Sequence, residues 1–334
     1  MYDIINLDQV GNCMFKELID VKENNLLNID VELLTILLKD NTTKKNITWA
    51  TNIYTKHGLG FGFFDNITIE KITGCYGNLI KPRTKKSKVD QEKRIRDKAE
   101  VFTPAWICNK QNNLVDNIWF DKEDVFNIEK DNLWIPNKNK ISFPDTKTWM
   151  DYVQDLRLEI SCGEAPYLVS RYDTVSGDII PVLNRIGLLD RKLRIVNENC
   201  NEKEDWFYWT KEAYKSIYAY EWQGDSLLIA RENLLYTFTD NYMYKFSEKP
   251  TIEIVKEIAV IISWNVWQMD GVKCVVPNSC KNEKIINYTL FGDEIIETVC
   301  KGCKKGNAKM HNGIYCQIMN WKTNRKMKFV SLFK

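Results

Sequence analysis

Histidine is nearly absent from this chain: His57 and His311 are the only two in 334 residues. A hydrolase that pairs a nucleophile with a histidine base is therefore disfavoured, and Cys162 has no evident histidine beside it in the sequence. No run of about twenty apolar residues occurs, so no membrane-spanning helix is expected. Residues 1–20 carry Asp3 and Asp8 where a signal peptide needs an apolar stretch, which points to a cytoplasmic protein without a membrane partner. An excess of one charge is missing too. Lys and Arg number 47 and Asp and Glu 45, a net of +2, which excludes an overall polycation and leaves room only for a local basic patch.

What is present is ordinary for a globular protein: 44% apolar and 28% charged residues. The length suits two domains, or one with an appendage. In a reducing compartment the ten cysteines are expected as free thiols or metal ligands and not as disulfides.

Along the chain, Asp30 precedes an apolar run and predicts a short N-capped helix over Val31–Leu38. The string His57-Gly58-Leu59-Gly60-Phe61-Gly62 lacks the strand-to-helix setting of a phosphate loop and reads as a turn or binding loop. Residues 81–98 hold nine basic side chains against Asp90, Glu92 and Asp97. Such a concentration suits phosphate contacts, with Lys85, Lys86, Arg94 and Arg96 as candidate DNA-binding residues; the alternative is a solvated charged face.

The middle of the chain alternates. A strand is expected over 156–160, a turn over 161–166, a helix over 204–218 and a strand over Ile217–Glu221. A turn with Asp225 as N-cap then leads into a helix over 227–238 that is apolar except for Arg231. A further apolar segment over 252–262 runs into a possible strand over 265–270. This rhythm predicts an α/β fold: a doubly wound, mostly parallel Rossmann-like sheet, with a mixed α/β N-terminal region and a small Cys-rich β module at the C-terminus. The corresponding domains are 1–98, 99–272 and 273–334, the last ending in a β-hairpin that turns at 322–325.

An open parallel sheet binds ligands at the carboxyl ends of its strands. Three expected strand ends carry acids: Glu159, followed by the turn of Gly163; Glu221, placed to accept ribose hydroxyls; and Asp270, placed to accept from an exocyclic amine. Each alone is better read as a helix cap or surface acid, and it is their ordered placement on successive strands that gives them weight.

On these residues the stretch 99–270 resembles the adenine-N6 DNA methyltransferases that use S-adenosylmethionine (SAM), in particular modification subunits of type II restriction-modification systems. Glu100-Val101-Phe102-Thr103-Pro104 is similar to the segment that lines the methionine end of the cofactor pocket. Residues 158–165, with Glu159, Ser161 and Gly163, resemble the first cofactor motif. Ile217–Glu221 running into 228–234 resembles the second, whose acid holds the ribose, and 265–270 the third, whose acid contacts adenine. The resemblance implies SAM as cofactor, double-stranded DNA as substrate and a restriction or specificity subunit as partner. Three departures stand against it. Ala165 and Pro166 replace the second glycine, residues 178–205 look like an insertion, and the Asn/Asp-Pro-Pro-aromatic catalytic motif is not found. Pro277 with Asn278, and Asn320 with Trp321, are the candidate substitutes. A degenerate methyltransferase fold working with a partner chain, and an RNA or small-molecule methyltransferase, are the competing expectations.

The tail offers a second site. Cys300-Lys301-Gly302-Cys303 is a knuckle of the kind that wraps zinc. Cys280, Cys300, Cys303 and Cys316 are the candidate metal ligands of a structural site, with His311 as the alternative fourth. The competing reading is reduced thiols in a small basic module whose Lys301, Lys304, Lys305 and Lys309 are solvated. Cys13, Cys75, Cys108, Cys162 and Cys200 are scattered and read as ordinary thiols.

Overall fold

The computed structural model describes residues 19–98, 100–289 and 292–333; Cys13 and most of the N-terminal stretch considered above lie outside them. Helices α1 (Glu23–Ile29) and α2 (Val31–Leu38) open the described chain. The Asp30 carboxylate accepts from the backbone N–H groups of Glu32 and Leu33 at 2.7 and 3.2 Å, the N-cap that the sequence predicts. Leu33, Leu34, Leu37 and Leu38 form the buried face of α2. The basic segment becomes helix α3 (Lys88–Lys98), followed by α4 (Ala105–Phe120), the β1–β2 hairpin (Asn127–Lys130 and Leu133–Pro136) and α5 (Trp149–Gln154).

The centre is a three-stranded parallel sheet of β3 (Arg157–Ile160), β4 (Ile217–Glu221) and β5 (Val266–Gln268), in that spatial order. Helices α6 (Leu188–Asn199) and α7 (Lys203–Lys215) connect β3 to β4, and α8 (Gly224–Phe246) and α9 (Ile252–Asn265) connect β4 to β5. The residues expected as an insertion thus supply α6, an extra helix in the first crossover. Ile217, Ala219 and Val266 point into the main core with the helices, while Tyr220 and Trp267 join Cys316, Ile318 and Phe329 in a second cluster. Strand alternation explains the split, since neighbouring side chains point to opposite faces.

The molecule is therefore mixed α/β with a parallel sheet. Among the described residues the strand order does not reverse, as a doubly wound sheet requires. Helices cover one face of the sheet, and part of the other packs on the C-terminal segment. That segment contains two antiparallel hairpins, β6–β7 (Glu283–Thr289 and Gly292–Thr298) and β8–β9 (Gln317–Asn320 and Arg325–Lys328), with the short helix α10 (Lys301–Lys305) between them. The second hairpin turns where the sequence predicts.

Arg231, the one charge in the apolar pattern of α8, is fully buried. Its guanidinium donates to the carbonyls of Leu37, Val266, Lys39 and Ser263 at 2.6, 2.8, 2.9 and 3.3 Å. Leu37 and Ser263 lie in the last turns of α2 and α9, whose carbonyls lack helical partners, and a cation is favourable at a helix C-terminus. Arg231→Met should leave several of these acceptors buried and unpaired at about 1–3 kcal/mol each. Urea unfolding should show a loss of about 3 kcal/mol or more; a loss below about 1 kcal/mol would mean that water replaces the guanidinium.

Candidate cofactor cavity and metal cluster

Beyond the carboxyl ends of β3 and β4 lies a cavity of about 560 Å³, a size that suits a nucleoside-bearing ligand. The turn after β3 shapes its floor. Ser161, Gly163 and Ala165 all take left-handed backbone conformations, with φ of 50°, 53° and 63°, so the chain coils back on itself. The Gly163 N–H then donates to the Glu221 carboxylate across the strand gap at 2.9 Å. Phe102, Thr103, Glu159, Ser161, Gly163 and Glu221, six of the eight cofactor candidates, line this one cavity. Glu100, from the segment expected at the methionine end, lines it as well, as do Phe63, Tyr167, Trp222, Gln223 and Ser226, to which the sequence reading gives no cofactor role. Phe63 follows the glycine-rich loop, which is the one signal that could have found it.

Two candidates fall elsewhere. Pro104 is the N-cap position of α4 and does not line the cavity. Asp270 lies past the end of β5, where its Oδ1 accepts from the N–H groups of Val272 and Lys273 at 3.1 Å each and its Oδ2 pairs with Lys273 at 3.4 Å. It closes a turn into the C-terminal segment and is not placed to meet an adenine in this cavity. The strand ends at Gln268, whose amide bonds Thr48 and Trp222 and so ties the N-terminal region to the cavity wall.

The electrostatics are one-sided. Glu100, Glu159 and Glu221 line the cavity, and among the described residues no Lys, Arg or His does. Burial pushes Glu159 up to about 8, against the N–H groups of Tyr167 and Leu168 that it accepts from, and the Glu221 charge adds to the rise. Burial raises Glu221 also, opposed by the N–H groups of Gln223 and Gly163. Only Glu100 has a cation, the Arg94 guanidinium at 2.8 Å.

That contact corrects the reading of the basic segment. Arg94 is buried and also reaches Asp225 and the Tyr54 hydroxyl. The Lys86 ammonium sits 3.9 Å from the same Asp225 with its side chain mostly covered. Burial pushes Asp225 up, yet Arg94 and Lys86 hold it well below the usual carboxylate range. Asp225 is thus the inner anchor of α3 and not the N-cap of α8, whose first residue is Gly224. Of the four DNA candidates, Lys85 and Arg96 are exposed, while Arg94 and Lys86 are used internally. A count of charges along a sequence does not show which of them turn inward.

The candidate catalytic substitutes are not at this cavity. Pro277 is buried and Asn278 exposed in the turn after β5, and neither lines it. Asn320 and Trp321 line a separate apolar cavity beside Arg157 and Ser216, at the opposite ends of the strands, and the Trp321 indole donates to Asn265 at 2.8 Å.

In the C-terminal segment, Cys280, Cys300, Cys303 and His311 bring their ligand atoms within 4.8 Å of one another. The His311 Nδ1 lies 3.5, 3.5 and 3.6 Å from the three sulfurs. A tetrahedral ion with metal–sulfur bonds of about 2.3 Å and metal–nitrogen bonds of about 2.0 Å gives an edge of about 3.6 Å. The Cys303 N–H points at the Cys300 sulfur at 3.4 Å, and a Cβ on Gly302 would come within 2.7 Å of the His311 ring, so the knuckle requires its glycine. Cys316 is not part of the set. Its thiol is buried and donates to the Gln268 carbonyl at 3.3 Å, linking the segment to β5. His311, the alternative fourth ligand, stands in its place.

No protein-family model, curated protein or solved structure matches this chain.

The raised Glu159 has a consequence for stability. Its folded form holds a proton that the unfolded form releases near its ordinary value of 4.5, so its contribution is full below about pH 4.5 and is lost as pH rises toward about 8. Glu159→Gln should flatten that part of the decline in urea midpoint between pH 5 and pH 9. Parallel pH profiles for the two proteins would place the titration elsewhere.

Proposed function

We propose that this chain is a SAM-dependent DNA methyltransferase acting on adenine N6, within a restriction-modification or phage-defence system. The observation that carries the reading is the cavity at the carboxyl ends of parallel strands, walled by three carboxylates and by the rings of Phe63, Phe102, Tyr167 and Trp222, with no cationic side chain among the described residues of its lining. Such a lining suits a nucleoside that carries positive charge and opposes one that carries phosphates. The donor set fits SAM, which supplies a methyl group already activated as a sulfonium. Glu221, its carboxylate oriented by two backbone N–H groups, would hold the ribose hydroxyls. The aromatic rings would exclude water, and Glu100, with Glu159 once the bound cation favours its ionised form, would face the cationic end. The Rossmann-like, methyltransferase-type character of the sheet belongs to this same proposal.

One further observation favours the version in which a restriction or specificity subunit completes the enzyme. Among the described lining residues, none of the candidate substitutes for the catalytic motif, Pro277, Asn278, Asn320 or Trp321, is found. Among the described residues strand β3 pairs only with β4, and Leu156 just before it and its Leu158 and Ile160 are 61%, 46% and 66% exposed. A partner that covers this strand would stand beside the cavity wall.

The Cys280, Cys300, Cys303 and His311 cluster is read as a structural zinc site, on the match between its spacing and a tetrahedral Cys3His shell.

Transfer of labelled methyl from SAM to duplex DNA, followed by nucleoside analysis, tests the activity; label in N6-methyladenine supports it, and label in another base or none, with the native partner present, contradicts it. For the cofactor, Glu221→Ala should weaken SAM binding by about 2–3 kcal/mol in calorimetry, and equal affinities would remove the ribose role. For the metal, one zinc per chain is expected in protein purified without chelator. It should survive Cys316→Ser and be lost in Cys303→Ser, and a zinc-free, stably folded wild type would overturn the assignment.

A further inference from the structure

Besides residues 81–98, whose Arg94 and Lys86 turn inward, the C-terminal segment of this molecule carries an excess of positive charge. Residues 273–334 hold twelve Lys and Arg against four Asp and Glu, a net of +8 in a chain whose total is +2. Lys301, Lys304, Lys305 and Lys309 are exposed on α10 and the turn that follows it. None of the four forms an ion pair with a carboxylate among the described residues, whereas Lys284 pairs with Glu297 and Lys273 with Asp270. A metal ion on Cys300, Cys303 and His311 would pin the backbone under them at both ends, since Cys300 and Cys303 bracket the knuckle and His311 lies against it. A second group, Lys322, Arg325, Lys326 and Lys328, is exposed on the β8–β9 hairpin. Tyr315 joins the two groups. Its hydroxyl accepts from the His311 N–H and donates to the Ala308 carbonyl, both at 2.9 Å, while the Lys328 ammonium lies 5.3 Å from its ring. Through Tyr315 the knuckle and the Lys328 end of the hairpin are held side by side.

We infer that this Cys3His-framed surface, and not the segment 81–98, is where the protein docks the phosphate backbone of duplex DNA. Unpaired lysines at fixed positions on a rigid turn are suited to phosphate contacts, which set position and affinity without reading sequence. The identity of the polyanion rests on the DNA methyltransferase reading above; the location of the surface does not.

The experiment is a salt titration of duplex-DNA binding by the full chain. It compares wild type with two quadruple variants: Lys301→Ala, Lys304→Ala, Lys305→Ala, Lys309→Ala, and Lys85→Ala, Lys88→Ala, Lys93→Ala, Arg96→Ala. Metal content and SAM affinity are measured on all three proteins. The knuckle variant should keep its metal and its SAM affinity, bind DNA at least tenfold more weakly, and lose about two to four units of the log–log salt slope. The other variant should change the slope by less than about one unit. A wild-type slope in the knuckle variant, a loss confined to the other variant, or no duplex binding by wild type would each overturn the inference. Failure of SAM binding with the knuckle effect intact would instead count against the cofactor reading alone.

Discussion

Three carboxylates converge on one cavity with a single cation behind them, and much of the local architecture serves to make that possible. Removing acids from water is costly unless they are protonated or hydrogen-bonded. Both responses are present. Glu159 and Glu221 accept backbone N–H groups from the coiled turn after β3 and from the start of α8, and burial drives their titration upward. The left-handed residues Ser161, Gly163 and Ala165 are what turn those N–H groups inward. On the proposed function, a cationic ligand would lower the cost of ionising these acids.

The N-terminal region completes the same wall. Arg94 pairs with Glu100 on one side and Asp225 on the other, so α3 is fastened to the start of α8 through buried ionic contacts. Gln268 holds Thr48 on the opposite flank. Removing one partner from a buried pair of this kind leaves an uncompensated charge, so the basic segment reads as part of the cavity's frame. Lys85, Lys88, Lys93 and Arg96 still face solvent, but Arg94 and Lys86 are used internally, whereas the knuckle lysines of the C-terminal segment all face outward.

Local signals in the sequence were legible where one residue type had one physical role. Asp30 before an apolar run could only cap α2, and the apolar runs at β3 and β4 fall where expected. Glu159, Gly163 and Glu221 were found because acids at the carboxyl ends of parallel strands face the same crevice. What was not legible depended on tertiary partners. Asp225 has the look of an N-cap until Arg94 claims it. Asp270 ends an apolar strand pattern, yet the strand stops two residues earlier and the acid closes a turn. Cys316 and His311 are equivalent ligands by spacing, and only the fold shows that Cys316 faces Gln268. Phe63 and Trp222 come from distant parts of the chain and meet at the cavity through the packing of the N-terminal loop.

The account stands on the claim that this cavity selects a cationic nucleoside over a phosphorylated one. Calorimetric titration of the wild-type protein with SAM, with ATP, and with SAM in the presence of ATP measures that selection directly. The account predicts one SAM bound per chain, no heat from ATP, and no competition by ATP. Binding of ATP in competition with SAM, or of ATP alone, would contradict it.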